Sequence, residues 1–244
     1  FRVLRDRLFD TLAAVEPEVD EGFEVRGGAL EPGAVGAWLA AHARDGRRCG
    51  MAVVGTHTVY DGDATAVAIA TAGGEGAYID TTTLTAEDEA ALGDWLADGG
   101  APKALHEAKI AMHDLAGRGW TLAGVTSDTA LAAYLVRPGQ RSFALDDLSL
   151  RYLRRELRAE TQEQQQLSLL DDTEGVDDQA VQTLLLRARA VADLADALDE
   201  ELDRIESASL LTEMELPVQS TLAAMEAIGI AVDQDKLDTL QREF

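Results

Sequence analysis

Three extended segments follow one another closely between residues 49 and 80, and they restrict the possible folds more than any other feature. Residues 49–60 are apolar and β-branched, and residues 64–72 and 76–80 continue the pattern. The motif Asp-Gly-Asp at 61–63 separates the first two segments, and Gly73-Gly74 separates the second from the third. Both motifs are typical of hairpin turns. The sequence therefore predicts three consecutive antiparallel strands.

Helical patterns surround these strands. Apolar residues recur at helical spacing before them, in residues 1–18 and 33–42. After them, Thr85 and Asp88 form a capping-box-like helix start, and Ser127 or Asp128 is expected to cap another helix. The predicted later elements are a helix from 85 to 97, a brief strand at 102–107, helices at 108–116 and 129–136, a helix opened by Asp146 and Asp147, and a polar loop at 160–179. This order predicts an α/β domain.

A heptad-like apolar stripe marks one long helix near the carboxyl end. Its members are Val181, Leu184, Ala188, Val191, Ala195, Leu198, Leu202 and Ile205. A coiled coil with a partner is one interpretation. Because two members are alanine and no neighbouring segment matches, the pattern favours packing on the domain's own sheet. A further helix is predicted over residues 207–228, kinked at Pro217, and another begins near Gln234.

Charge and cysteine content limit the possible functions. The chain has 45 acidic and 21 basic side chains, a formal charge of −24, which argues against a module that grips nucleic acid unaided. The cluster Arg151, Arg154, Arg155 and Arg158 is the one candidate for phosphate contact, and internal ion pairs explain it equally well. A single cysteine, Cys49, excludes an intrachain disulfide and fits a reducing, cytoplasmic setting. With no apolar run near 20 residues, we expect a soluble chain without membrane contact.

Several segments resemble bacterial DNA polymerase I, a family A polymerase. The similar segments are residues 1–8, residues 127–135 (Ser-Asp-Thr-Ala-Leu-Ala-Ala-Tyr-Leu), the Leu-x-x-Leu of 145–148, Glu215-Leu216-Pro217, and residues 225–233 (Met-Glu-Ala-Ile-Gly-Ile-Ala-Val-Asp). The resemblance implies a linker helix at 1–18, a 3′-5′ exonuclease-like domain of ribonuclease H-like fold at 19–206, and the start of the polymerase domain at 207–244. That fold has three antiparallel strands continued by parallel ones, with helices on both faces. The chain is accordingly expected to be a piece of a DNA-directed DNA polymerase of repair and replication.

The exonucleases of this family hold two Mg²⁺ ions with carboxylates, because hard cations need several oxygen ligands to position them at the scissile phosphate. The family places these as an Asp-x-Glu pair on the first strand, an Asp in a later helix and an Asp four residues after a Tyr in the long helix. Matched to this sequence, the four positions are Gly55, His57, Ala111 and Ala190, with Leu186 at the Tyr. We therefore expect no catalytic, cofactor-binding or metal-binding residue in this segment. Mg²⁺ is expected only in the polymerase site of the parent protein. That protein would contact DNA through its polymerase domain, on which this segment would dock, and it is expected to be a monomer.

Two other functions remain open from the sequence. Displaced acids could support weak exonuclease activity: Asp193 lies three residues after Ala190, Asp114 three after Ala111, and Asp61 and Asp63 lie in the first hairpin turn. Alternatively, the chain is a free-standing binding module with no polymerase attached. His57, with His106 and His113, could bind a softer metal, although a packed or solvated role is more common. Trp95 and Trp120 are predicted to be core residues.

Overall fold

The computed structural model describes residues 22–57, 62–157 and 178–243. The predicted helix at 1–18 and most of the predicted loop at 160–179 lie outside these residues, as do Asp61 and Arg158. No helix in the described ranges is both long and apolar enough to cross a membrane.

One mixed sheet forms the centre of the described chain. Its strands are β1 (Arg26–Ala29), β2 (Cys49–His57), β3 (Gly62–Thr71), β4 (Glu75–Asp80), β5 (Lys103–Leu105) and β6 (Val125–Asp128), in the order β1-β4-β3-β2-β5-β6. The antiparallel pairing of β2 with β3 and of β3 with β4 confirms the three predicted strands. The strands β5 and β6 continue the sheet in parallel beyond β2, and β1 pairs in parallel with β4.

The strands β1 and β6 were absent from the sequence prediction. Each has only four residues, and Gly27 and Gly28 give β1 a composition with little strand preference. The residues of β6 read Val-Thr-Ser-Asp, which is typical of a helix start. Their partners are distant in sequence, since Arg26 lies opposite Glu75 and Lys103 opposite Val125. Pairing with an existing sheet edge, which local patterns do not encode, makes them strands.

Helices cover both faces of the sheet. They are α1 (Val35–His42), α2 (Ala86–Ala97), α3 (Ala108–Gly117), α4 (Thr129–Val136), α5 (Leu145–Leu148), α6 (Asp178–Arg204), α7 (Ala208–Leu210), α8 (Leu216–Ile228) and α9 (Gln234–Glu243), with π-turns at Ser149–Leu153 and Leu211–Glu215. Thr85 caps α2 as predicted, since its side chain accepts a hydrogen bond from the amide of Asp88. Of the two candidates for the cap of α4, the structure selects Asp128.

Pro217 lies within a helical run that is continuous from Ala208 to Ile228. It follows the π-turn Leu211–Glu215 directly. This widened turn includes the residue four positions before the proline, whose carbonyl the proline ring would meet in a regular helix. The irregularity in the helical run therefore precedes the proline.

The apolar stripe of α6 packs on the chain's own sheet, as the sequence favoured. Its residues Val181, Leu184 and Ala188 join a buried cluster with the alanines of β3. Approach is closest at Gly50 of β2, where a Cβ atom would lie 2.7 Å from the amide nitrogen of Ala192. The opposite face of the sheet packs against α1, α2 and α3, where Trp95 is 1% exposed. Trp120, 7% exposed, belongs to the same core, so both tryptophan predictions are confirmed.

Candidate functional site

A cleft of about 520 Å³ lies where the parallel strands β2 and β5 end. Ligand sites of α/β sheets commonly form at this position. The lining residues are Val54, His106, Glu107, Ala144, Leu145, Asp146, Leu157, Ala180, Thr183 and Arg187. They come from β2 near its end, the turn between β5 and α3, the start of α5, the segment after the π-turn Ser149–Leu153 and the first three turns of α6. The cleft is therefore the best candidate for a functional site in the described part of the chain.

The charges around the cleft are mixed. Burial lowers the pKa of His106, and Arg187 acts in the same direction, against the opposing effect of Asp128 and Glu107. The imidazole is consequently neutral at pH 7, with Nδ1 2.8 Å from the hydroxyl oxygen of Thr129. Arg187 forms no ion pair within the described residues. The cleft wall thus carries one guanidinium group together with the carboxylates of Glu107 and Asp146.

Three of the predicted site positions do not line this cleft. Gly55 faces α3 instead, where an added Cβ would lie 2.7 Å from Oδ2 of Asp114. Ala111 is 6% exposed in the core beneath α3, and Ala190 is fully buried on α6, the helix that packs on the other face of the sheet. His57 ends β2 opposite Gly62, and its side chain lies outside the described residues.

The sequence analysis missed Val54 and Arg187, which reach the cleft beside two of the predicted positions. Val54 directly precedes Gly55, and the strand register shifts between these two residues. Successive residues of a strand face opposite sides of the sheet, so Val54 is 46% exposed on the cleft side while Gly55 faces α3. Arg187 lies three residues before Ala190, and its charge is the signal that this position of α6 must reach water. No comparable signal marks the irregularity, in which Thr65 of β3 has no partner on β2.

Of the proposed replacement acids, Asp193 lies apart, whereas Asp114 and the backbone of Asp63 both lie beside Gly55. Asp193 forms ion pairs with Arg155 at 3.0 Å and with Arg189 at 2.9 Å. Asp114 is buried on α3 beneath Gly55, whereas Asp63 pairs with Arg118 at 3.1 Å. Within the described ranges, no three His, Cys, Asp or Glu side chains are grouped closely enough to hold a metal ion.

The two described histidines of the soft-metal hypothesis also lie apart. His106 lines the cleft, whereas Nε2 of His113 lies 2.9 Å from Oε2 of Glu226 on α8. The same Glu226 carboxylate accepts a hydrogen bond from Nζ of Lys109 at 2.7 Å. His113 and Lys109 thus bind α3 to α8 and are not directed into the cleft.

Asp128 organises the turn that forms one wall of the cleft. Its buried carboxylate accepts hydrogen bonds from the amides of Glu107 and Ala108 at the start of α3, at 3.3 and 2.7 Å. It also accepts from the amides of Ala130 and Leu131 in α4, at 2.9 and 3.3 Å. A fifth donor, Nε2 of Gln219 in α8, lies 2.6 Å away. One side chain therefore connects two helix starts to the carboxyl-terminal helices.

Residues 56–162 match the family model described as DNA polymerase I, ribonuclease H-like domain. DNA polymerase I of Mycobacterium bovis is 73% identical over 245 residues, which cover 100% of this chain and 27% of the relative. DNA polymerase I of Bacillus caldotenax is 32% identical over 163 residues, covering 64% of this chain and 18% of the relative. The chain spans about a quarter of the length of the mycobacterial relative.

Solved structures show the same fold. A structure described as the POL domain of Pol1 from M. smegmatis in complex with DNA primer-template and dNTP has a TM-score of 0.78 and 66% identity, covering 89% of this chain and 35% of that chain. Trypanosoma brucei RNase D has a TM-score of 0.63 at 14% identity, covering 85% of this chain and 74% of that chain, and shows likeness of fold alone. These comparisons confirm the predicted ribonuclease H-like exonuclease fold.

Proposed function

We propose that this chain is a structural, non-catalytic version of the 3′-5′ exonuclease domain in the family of DNA polymerase I ribonuclease H-like domains. In this proposal the parent protein is a monomeric, cytoplasmic DNA-directed DNA polymerase of repair and replication. Its Mg²⁺ would be bound in the polymerase site and not in this segment.

The charge of the cleft is the observation that carries the proposal. Two-metal hydrolysis needs several carboxylates around the ions. The family's four carboxylate positions match Gly55, His57, Ala111 and Ala190, and none of these can ligate a metal through a carboxylate. In the cleft itself, the guanidinium of Arg187 repels divalent cations, so Glu107 and Asp146 would have to bind them against this charge.

The exposed surface of the carboxyl-terminal helices supports a role in docking. Large apolar side chains are exposed at Met214, Val218, Leu222, Met225, Ile228, Ile230 and Val232. Such a continuous apolar surface is typical of a protein interface. We propose that polymerase segments following this chain cover it, and that DNA contact occurs mainly through those segments. The M. smegmatis relative, whose structure holds DNA primer-template and dNTP, supports DNA as the partner.

A hydrolysis assay tests the absence of catalysis. The chain is incubated with 3′-labelled single-stranded DNA and either Mg²⁺ or Mn²⁺, and we expect no shortening of the strand. Metal-dependent shortening that disappears in the Asp193→Ala variant would contradict the proposal and support an exonuclease with displaced ligands. Asp147→Ala serves as the control, because it removes one acid that is exposed and lies away from Asp193 in the sequence.

Added carboxylates test whether the cleft corresponds to the family's metal site, which lacks its carboxylate ligands in this chain. The variant Val54→Glu/Arg187→Asp adds two carboxylates beside Glu107 and Asp146, so we expect calorimetry to detect Mn²⁺ binding absent from the parent chain. The matched variant Gly55→Asp/Ala190→Asp adds the same number of carboxylates at predicted positions where Asp114 or the core leaves no room, and it should unfold more readily. Mn²⁺ binding by the second variant and not by the first would assign the site to the predicted positions.

Extension of the sequence past Phe244 tests the assignment of the parent protein. We expect polymerase segments with catalytic aspartates there, in agreement with relatives that match this chain over 27% of their length. A stop codon immediately after Phe244 would favour the free-standing binding module.

A further inference from the structure

Three exposed arginines of this acidic chain are neutralised by nearby acids: Arg26 by Glu75, Arg47 by Asp45 and Arg204 by Glu201. Other exposed cations form no ion pair within the described residues, and four of them lie close together between residues 137 and 154. These are Arg137, Arg141, Arg151 and Arg154. The remaining ones are Arg44, Arg187 and, on α9, Lys236 and Arg242, so no other described stretch of similar length holds as many.

Three of these arginines are brought together by the fold, and we refer to Arg137, Arg141 and Arg151 as the arginine patch. The guanidinium of Arg151 donates a hydrogen bond to the side-chain oxygen of Gln140, which is the neighbour of Arg141. Burial raises the pKa of Tyr152 and Glu201 adds to this rise, whereas the charges of Arg151 and Arg137 both oppose it. The loop after α4 therefore lies against the π-turn Ser149–Leu153.

An aromatic pair with one exposed member lies beside the patch. The side chain of Tyr134, in the last turns of α4, is 49% exposed, and its ring centroid lies 5.8 Å from that of Phe143. Phe143 follows Arg141 by two residues. Aromatic rings next to cationic groups are the combination that proteins use to hold single-stranded nucleic acid, since bases stack on the rings while phosphates contact the cations.

We propose that the arginine patch, with Tyr134, binds the phosphate backbone of single-stranded DNA outside the cleft. The choice of DNA as ligand rests on the proposed function, whereas the location rests on charge alone. With a net charge of −24, most of the surface repels a polyanion, so a strand can be held only where cations are not already neutralised. The nearby acid Glu201 is itself engaged by Arg204.

Fluorescence anisotropy at several salt concentrations tests the proposal. The probe is a 5′-labelled oligodeoxythymidine of about 20 nucleotides, with EDTA present to prevent metal-dependent cleavage. We expect binding by the 244-residue chain to weaken with salt. The variant Arg137→Gln/Arg141→Gln/Arg151→Gln should bind more weakly, and its logarithmic salt dependence should be shallower by about 2, from roughly 0.7 for each lost phosphate contact.

Two further variants separate the patch from general charge and from stacking. Arg26→Gln/Arg44→Gln/Arg47→Gln changes the net charge equally but removes cations of β1 and of the segment after α1, and it should retain the salt dependence of the parent chain. Tyr134→Ala should weaken binding about tenfold at an unchanged salt dependence, because a stacking contact carries no charge. Circular dichroism establishes that each variant is folded.

The proposal is overturned if the unchanged chain fails to bind the strand, or if the patch variant binds with the same affinity and salt dependence as the parent chain. An equal loss in both triple variants would show a general charge effect, and tighter binding of a duplex would refute the single-strand preference. Hydrolysis of DNA in the metal-containing assay would refute the proposed function and leave the patch untouched. Failure of binding without hydrolysis would refute the patch alone.

Discussion

Lys103 is a cation that the fold buries completely, at the start of β5. Its ammonium group donates hydrogen bonds to the carbonyls of Asp98, Ala101 and Ala123, at 3.0, 2.8 and 3.1 Å. It also lies 4.5 Å from the centre of the Trp95 ring. Desolvation lowers the pKa of Lys103 to about 8, despite the charges of Asp98 and Cys49, which favour the protonated form. The group therefore stays protonated at neutral pH, where it satisfies three carbonyls in the turns that precede β5 and β6.

This lowered pKa predicts a pH dependence of stability. Between pH 8 and the ordinary lysine value of 10.5, the unfolded chain keeps the Lys103 proton while the folded chain releases it. Because the unfolded chain then binds more protons, the free energy of unfolding should rise with pH across this window, by on the order of 3 kcal/mol at most. Urea unfolding at pH 7.5 to 10.5 measures it, with Lys103→Met as the reference for all other titrating groups. Parallel pH profiles for the two chains would contradict the expectation.

At the scale of elements, the contact between α6 and β2 depends on the absence of a side chain at Gly50. A Cβ there would approach the backbone of Ala188 and Ala192, so Gly50→Ala must push the helix away from the sheet. We expect a loss of about 1–3 kcal/mol in the free energy of unfolding, typical of overpacking. Gly28→Ala is the control, because nothing lies within 4 Å of its added carbon. Equal midpoints of denaturation for the two variants would show that α6 adjusts without cost.

Elements specified by local patterns could be predicted from the sequence. The strands β2, β3 and β4 follow from alternating apolar residues and glycine turns, and α6 follows from its stripe. The strands β1 and β6 escaped prediction because their pairing depends on partners such as Glu75, far away in sequence. The same limit applied to the site: Thr65 of β3 is the extra residue where the strand register shifts beside Val54 and Gly55, and no residue type marks this bulge.

Considered as a whole molecule, the described chain has no packing boundary at residue 206, where the sequence analysis divides it. The amide of Gln219 and the carboxylate of Glu226 both belong to the segment assigned to the polymerase domain, yet they bind Asp128 and Lys109 of the exonuclease-like domain. The position of the boundary between the two predicted domains, at residue 206, stays a prediction. The contacts across it are well defined in the structure.

Removal of one such contact should loosen the carboxyl-terminal helices selectively. In Gln219→Ala the buried Asp128 carboxylate loses a donor, and a hydrogen bond to a charged group is worth roughly 1.5–3 kcal/mol. We expect amide hydrogens of residues 216–228 to exchange about tenfold faster or more, with those of α6 unchanged, as measured by mass spectrometry. Gln234→Ala, at the exposed start of α9, should leave exchange in residues 216–228 as it is. Unaltered exchange in Gln219→Ala would mean that apolar packing alone holds α8.

The multiple bonds of Asp128 also have a mechanical consequence. A pull on the carboxyl-terminal end passes through α9 to α8, and from Gln219 it passes directly to the carboxylate that holds the amides of Glu107 and Ala108. Glu226 transmits the same pull to Lys109, the second residue of α3. Since Glu107 lines the cleft, a displacement of α8 would also act on the wall of that opening.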